Sequence, residues 1–294
     1  MRLATYERAG AVYHGALDGE AGAETVREIG RGDLLALLES GDDWPARARE
    51  AAGRARPLPL ADVRLRAPLR RPPKLLALAG NYQEHVREGG VAPVDKSRAT
   101  PLLFLKPSSA IIAAGEAVEI PAISSAVDYE LELGVVIGRR CKNVAAADAL
   151  GVVAGYLVVN DISARTVDWG VERELTERIG YFDWLNGKWP DTFAPLGPFI
   201  RTADEVPDPQ RLAMRLTVNG EARQDASTAD MIFTVAETIA FCSRFLTLEP
   251  GDIIETGTPS GVGATTGTYL RPGDRIEAWI EGLGTLTTEV RNEK

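Results

Sequence analysis

The segment from Val127 to Gly138 reads Val-Asp-Tyr-Glu-Leu-Glu-Leu-Gly-Val-Val-Ile-Gly. Acidic and apolar residues alternate with the period of a β-strand. Glu130 and Glu132 therefore share one face, while Tyr129, Leu131, Leu133, Val135 and Ile137 share the other. The apolar face can enter a core. Two carboxylates on one face repel each other unless a cation or a proton separates them. A hard ion taking oxygen ligands, Mg²⁺, Mn²⁺ or Ca²⁺, is the simplest solution. The alternative is a half-exposed strand with a solvated acidic face.

The chain has 294 residues, 45% of them hydrophobic, enough for a large core and about two domains by length. Its formal charge of −9 argues against a nucleic-acid partner, because neutralising phosphates needs a basic surface. Cys141 and Cys242 form no CxxC or Cys/His cluster, so neither zinc nor a disulfide framework is expected, consistent with a reducing cytoplasm. No apolar run reaches the length of a membrane span, and Met1 to Glu7 lacks the apolar core of a signal peptide. The expected location is cytoplasmic, with no membrane partner.

Residues 1–70 read as a small α+β domain. Leu3 to Tyr6 and Ala11 to Leu17 can form a hairpin, Leu34 to Leu38 and Trp44 to Ala52 two helices with Gly53 as a stop, and Leu60 to Ala67 a strand. The arginine- and proline-rich run ending at Pro73 reads as a stiff, solvated linker. Residues 71–294 are strand-rich. Lys74 to Ala79, Leu102 to Leu105, Val152 to Asn160, Asp252 to Thr256, Asp274 to Ile280 and Thr285 to Val290 are expected strands. Leu212 to Gln224 is a hairpin around Asn219-Gly220. Gln83 to Glu88, Ala145 to Leu150 and Thr234 to Leu246 suit helices. The fold class is α+β: a mixed, mostly antiparallel β-roll or sandwich with few helices.

A third carboxylate, Asp161, follows the buried Val152–Asn160 run, where a rigid scaffold presents functional groups. Three carboxylates in a small volume strengthen the expectation of a cation. His85 and Glu88 stand three apart on one turn of a helix. Thr256 to Gly263 is a glycine-rich loop whose N–H groups can cradle a carboxylate, and no Gly-Lys-Ser/Thr follows to make it a P-loop.

The stretches Gly80-Asn81-Tyr82-Gln83-Glu84-His85, Phe104 to Ser109, Asp128 to Gly138, Gly155 to Arg165, Asp191 to Pro198, Val218 to Glu221 and Pro250 to Gly263 occur in this order from residue 74 onward. In them the chain resembles the fumarylacetoacetate hydrolase family. The resemblance implies the fumarylacetoacetase C-terminal type of β-roll, a divalent metal (Mg²⁺, or Mn²⁺ or Ca²⁺) on Glu130, Glu132 and Asp161, and a homodimer. It implies His85 and Glu88 as the catalytic pair and Lys188 as an oxyanion partner. Tyr82, Lys106, Arg165 and Thr258 are implied at the substrate, although Lys106 suits packing equally and Arg165 a structural ion pair. The implied substrates are 2-oxo acids, cleaved as acylpyruvates or related 2,4-diketo acids. Decarboxylation, isomerisation of a hydroxydienedioate or dehydration of a 2-keto-3-deoxy sugar acid would use the same site; a metal-binding protein without catalysis is the remaining alternative.

Two stretches depart from the family pattern. Arg165-Thr166-Val167-Asp168 carries an acid where the family often has a glutamine. The segment 168–187 is long and aromatic, suiting a lid, an interface or a packed insertion.

Overall fold

The computed structural model describes residues 1–19 and 23–294. Its main feature is a 12-stranded mixed sheet. The centre of that sheet is the acidic strand Leu131–Ile137, flanked by Val153–Asn160 on one side and Ile253–Glu255 on the other, both antiparallel to it. All seven residues of the central strand are buried. The alternation of acid and apolar residues therefore does not mark a wet face, and the half-exposed alternative is excluded. The sheet continues through Leu75–Ala79, parallel to Ile253–Glu255, to an edge at Leu102–Leu105.

A second, five-stranded sheet runs Glu221–Ser227, Ala213–Val218, Arg275–Ile280, Gly284–Asn292 and Ala117–Ile120. Its hairpin turns at Asn219 (φ 53°) and Gly220 (φ 81°), the left-handed pair that the Asn-Gly sequence selects. Leu216, Ile276, Ala278, Ile280 and Leu286 from this sheet join Leu133, Val135 and Ile254 from the first in one continuous core. The architecture is the expected mixed, mostly antiparallel α+β roll. Val235–Phe245 is the best-formed amphipathic helix, closed at its start by reciprocal hydrogen bonds between Thr234 and Glu237.

Residues 1–70 do not stand apart from this roll. Arg2–Arg8 pairs with Ala11–Asp18 as expected, but also with Ala194–Thr202, so the N-terminal strands extend the same large sheet. The run read as a solvated linker is packed. Ala67, Pro68, Leu69 and Pro72 are buried, and the Pro68 carbonyl accepts from Thr5 Oγ1 at 2.7 Å. Proline stiffness there serves packing.

Three local expectations differ. Ala145–Leu150 forms turns leading into a 3₁₀ segment at Ala149–Val152, with Asp148 and Ala149 donating to the carbonyls three residues back, at Ala145 and Ala146. Leu60–Ala67 divides into a 3₁₀ turn at Leu60–Asp62 and a short strand at Arg64–Arg66. The second helix runs through Gly53 to Arg54. Among the described residues no helix is long and apolar enough to cross a membrane.

Candidate active site

The site grows from strand pairing. Glu130 and Glu132 lie two residues apart on one face, and the backbone N–H of Asp161 donates to the Glu130 carbonyl at 2.8 Å, bringing Asp161 beside them at the end of Val153–Asn160. One carboxylate oxygen from each of Glu130, Glu132 and Asp161 lies within 4.8 Å of the others, and all three residues are buried.

Two ammonium groups enter this cluster. Lys188 Nζ donates to Glu130 Oε2 at 2.9 Å and to Asp161 Oδ2 at 2.7 Å. Lys106 Nζ donates to Asp161 Oδ1 and to the carbonyls of Ile162 and Phe193. Gly187 makes the approach of Lys188 feasible. A Cβ at that position would lie 2.2 Å from the Ala164 carbonyl, and the Gly187 carbonyl accepts from Ala164 N at 2.8 Å. Lys188 then lies over the rings of Phe104 and Trp184, 5.4 and 5.6 Å from their centroids. Trp184 belongs to the helix Glu177–Asn186, so the long aromatic segment covers this side of the site.

Arg165 bridges acids. Its Nε donates to Asp128 Oδ2 at 2.7 Å and its Nη2 to Glu130 Oε1 at 2.5 Å. These ion pairs commit Nε and Nη2 to the protein. Thr258 is likewise committed, donating to the Leu131 carbonyl at 3.0 Å and accepting from Gln224 at 2.8 Å. Tyr82 lies in the core, its hydroxyl donating to Met214 Sδ at 3.3 Å. The hydroxyls of Thr258 and Tyr82, both expected at the substrate, have partners within the fold.

The glycine-rich loop does cradle carboxylates, but they belong to the protein. Gly257 N–H donates to Glu132 Oε2 at 2.6 Å, Gly261 N–H to Glu88 Oε2 at 2.8 Å, and Gly263 N–H to Asp128 Oδ1 at 2.6 Å. Glu88 in turn accepts from His85 Nδ1 at 2.8 Å. One loop thus orients the His85–Glu88 pair and two acids of the central cluster. His14, without a site context in the sequence, is buried against the Gly32 carbonyl at 3.3 Å.

Electrostatics divides the acids. Burial opposes ionisation of Glu130, but Lys188, Arg165 and His85 outweigh it and hold its carboxyl well below the usual range. Glu132 lies at the other extreme. Burial, reinforced by Asp161, Glu255 and Glu130, pushes it well above that range. Lys188 is raised: burial works against its charge, and Asp161 and Glu130 overcome it. Glu132 Oε1 is buried with no hydrogen-bond partner among the described residues. An all-oxygen donor set, an excess of carboxylate and one orphaned oxygen fit a hard divalent cation.

Asp128, Glu255 and Phe104 escaped the sequence reading as site residues, and Trp184 entered it only as one aromatic of the segment 168–187. Asp128 shares the alternation of Glu130 and Glu132, and that parity was the available signal. Glu255 is an acid inside an otherwise apolar buried strand. Phe104 and Trp184 stack edge to face at 5.1 Å beside Lys188, an arrangement that sequence spacing does not encode.

Residues 74–291 match the family described as fumarylacetoacetate (FAA) hydrolase C-terminal. The chain belongs to the fumarylacetoacetate hydrolase family. Among relatives, a mitochondrial oxaloacetate tautomerase of Bos taurus is 41% identical over 260 residues, 87% of this chain and 79% of that protein. Among solved structures, a maleylpyruvate hydrolase from Sphingobium sp. SYK-6, in complex with manganese(II) and pyruvate, is 31% identical with a TM-score of 0.79, and each chain is covered 100%. A 2-hydroxyhepta-2,4-diene-1,7-dioate isomerase from Mycobacterium marinum is 35% identical with a TM-score of 0.75, covering 100% of this chain and 99% of that one. Fumarylacetoacetate hydrolase relatives with hydrolase and isomerase names therefore share this fold, and fold alone does not choose between their reactions.

Proposed function

We propose that this fumarylacetoacetate hydrolase family member is a divalent-cation-dependent enzyme that hydrolyses a C–C bond of an acylpyruvate or related 2,4-diketo acid. The observation that carries this reading is the convergence of Glu130, Glu132 and Asp161 with the Lys188 ammonium among them. The manganese and pyruvate in the Sphingobium hydrolase support it by similarity. Bound by the three carboxylates, Mg²⁺ or Mn²⁺ would act as a Lewis acid toward a 2-oxo carboxylate as it becomes an enolate.

The protein groups supply the rest. Glu88 accepts from His85 Nδ1, which leaves Nε2 to take a proton from water. That water adds to the carbonyl distal to the oxo acid, and the Lys188 ammonium stabilises the developing oxyanion. The bond from this carbon to the methylene of the pyruvyl fragment then breaks. Its electron pair forms the pyruvate enolate, which takes up a proton, and the acyl fragment leaves as a carboxylic acid. Phe104 and Trp184 exclude bulk water beside Lys188. A homodimer, which light scattering would show as twice the chain mass, belongs to this reading.

A second reading is keto–enol tautomerisation of oxaloacetate, favoured by the 41% identity to the bovine tautomerase. There His85 would move a proton between carbon and oxygen without water attack. Assays of acylpyruvates, oxaloacetate and sugar-derived keto acids with Mg²⁺, read by product mass, separate these reactions. Pyruvate plus an acid means hydrolysis; unchanged mass with accelerated loss of the enol's ultraviolet absorbance means tautomerisation. Asp161→Asn is expected to fold, bind Mn²⁺ poorly and lose turnover. A folded, metal-free variant with undiminished turnover would overturn the metal-dependent reading.

A further inference from the structure

Glu255 lies in the short strand Ile253–Glu255, directly opposite Gly134 of the acidic strand. Cross-strand partners project to the same face, and Gly134 is two residues from Glu132. Glu255 is therefore on the face that carries Glu130 and Glu132, beside a position that has no side chain. It is 0% exposed, and neither of its carboxylate oxygens has a hydrogen-bond partner among the described residues. Lys106 and Lys188 influence it only through space, because their protons are directed to Asp161, Glu130 and the two carbonyls. A buried carboxylate left this way is costly, and nothing in the packing of the strand demands an acid there.

The charges around it supply a reason. Asp128, Glu130, Glu132, Asp161 and Glu255 are five buried acids; Lys106, Lys188 and Arg165 are the three cations among them. With the acids ionised, the cluster is short of two positive charges, the charge of one divalent cation.

We propose that Glu255 is a positioning residue of the metal centre: an outer carboxylate, beyond the ligating trio, whose charge completes the match to a doubly charged ion. The proposal rests on the metal reading of Glu130, Glu132 and Asp161 and adds a residue to it. Glu255 acts on the ion through the electrostatic field of a buried site, where a missing charge is weakly screened.

The test is calorimetric titration of Mn²⁺ into the wild type, Glu255→Gln and Glu255→Asp. Glutamine keeps the size and removes the charge. Its dissociation constant for Mn²⁺ is expected to rise at least about tenfold, with aspartate recovering part of the loss. Thermal unfolding of the metal-free proteins is the control, and the glutamine variant is expected to melt no lower than the wild type. Unchanged Mn²⁺ affinity in a folded Glu255→Gln protein would overturn the proposal while leaving the metal trio intact. So would a lower melting temperature at equal affinity, which is the mark of a purely structural acid. If glutamine unfolds the chain, Glu255→Leu decides in its place, since unchanged Mn²⁺ affinity in that uncharged, folded variant overturns the proposal equally. Absence of Mn²⁺ binding by the wild type itself would instead sink the underlying reading, and this inference with it.

Discussion

Gly257 donates its backbone N–H to Glu132 Oε2 at 2.6 Å, and this bond fixes which oxygen Glu132 can offer to a ligand. The other oxygen, Oε1, is buried and unpaired among the described residues. Positioning by main chain is rigid, because the N–H of a strand-end loop has no rotamers to lose. The same loop reaches Glu88 and Asp128, so the proposed acid–base pair and the proposed metal centre share one support.

Gly261 is the most exacting point of that support. Its φ is +101°, and a Cβ there would lie 2.1 Å from the Arg223 carbonyl. Gly261→Ala is expected to cost about 1–3 kcal/mol of stability and to release Glu88 from its backbone donor. Urea unfolding read alongside turnover checks this: the variant should lose turnover beyond what its unfolded fraction explains.

Lys188 and Glu255 carry opposite charges toward the same ion, so their variants should separate. Lys188→Met is expected to lower turnover about 10²–10³-fold. Its Mn²⁺ affinity should hold or rise, because the cluster becomes more negative. Single-turnover kinetics with calorimetry tests the pair of outcomes.

His85→Ala and Glu88→Gln should each slow hydrolysis, by about 10²–10⁴-fold for the imidazole. Metal affinity should be little changed, as neither is among the three converging carboxylates. Comparable losses in Mn²⁺ binding and rate would show that the helix Gln83–Glu88 supports the cation and does not act on water.

Metal-free protein should become less stable as pH rises. Burial, then Asp161, raise Glu255 from 4.5 to about 8, against the pull of Lys106 and Lys188. Between those two values the folded state binds more protons than the unfolded state, so unfolding free energy falls with increasing pH. Glu132 is shifted in the same direction, mainly by burial. Saturating Mn²⁺ should flatten or reverse this slope, and Glu255→Gln should reduce it. Melting temperatures across pH 4.5–8, with and without the ion, provide the measurement.

Much of the central roll was legible because its strands are punctuated by strong turns. The Asn219-Gly220 hairpin and the helix Gln83–Glu88 fall where turn chemistry and periodicity put them. Ala194–Thr202 was hidden by Pro195 and Pro198, which disguise a strand by removing N–H donors. Glu130 and Glu132 were visible through alternation, since a period of two survives burial on both faces, and Asp161 through its place at the end of a buried run. The hydrogen bonds of Thr258, Arg165 and Tyr82 within the fold were not, because a side chain's type does not reveal which partner has claimed its polar atoms. Glu255 escaped for a related reason: its proximity to Glu132 is a matter of cross-strand register, set by residues more than a hundred positions away.

The joining of Arg2–Arg8 to Ala194–Thr202 bears on how this chain can be shortened. A protein beginning at residue 74 would keep every side chain of the proposed metal centre yet lay bare a strand rim at Ile200 and Arg201. Such a rim recruits foreign strands. The amino-terminal residues thus act as a sealing hem, and trimming them invites clumping before it touches chemistry.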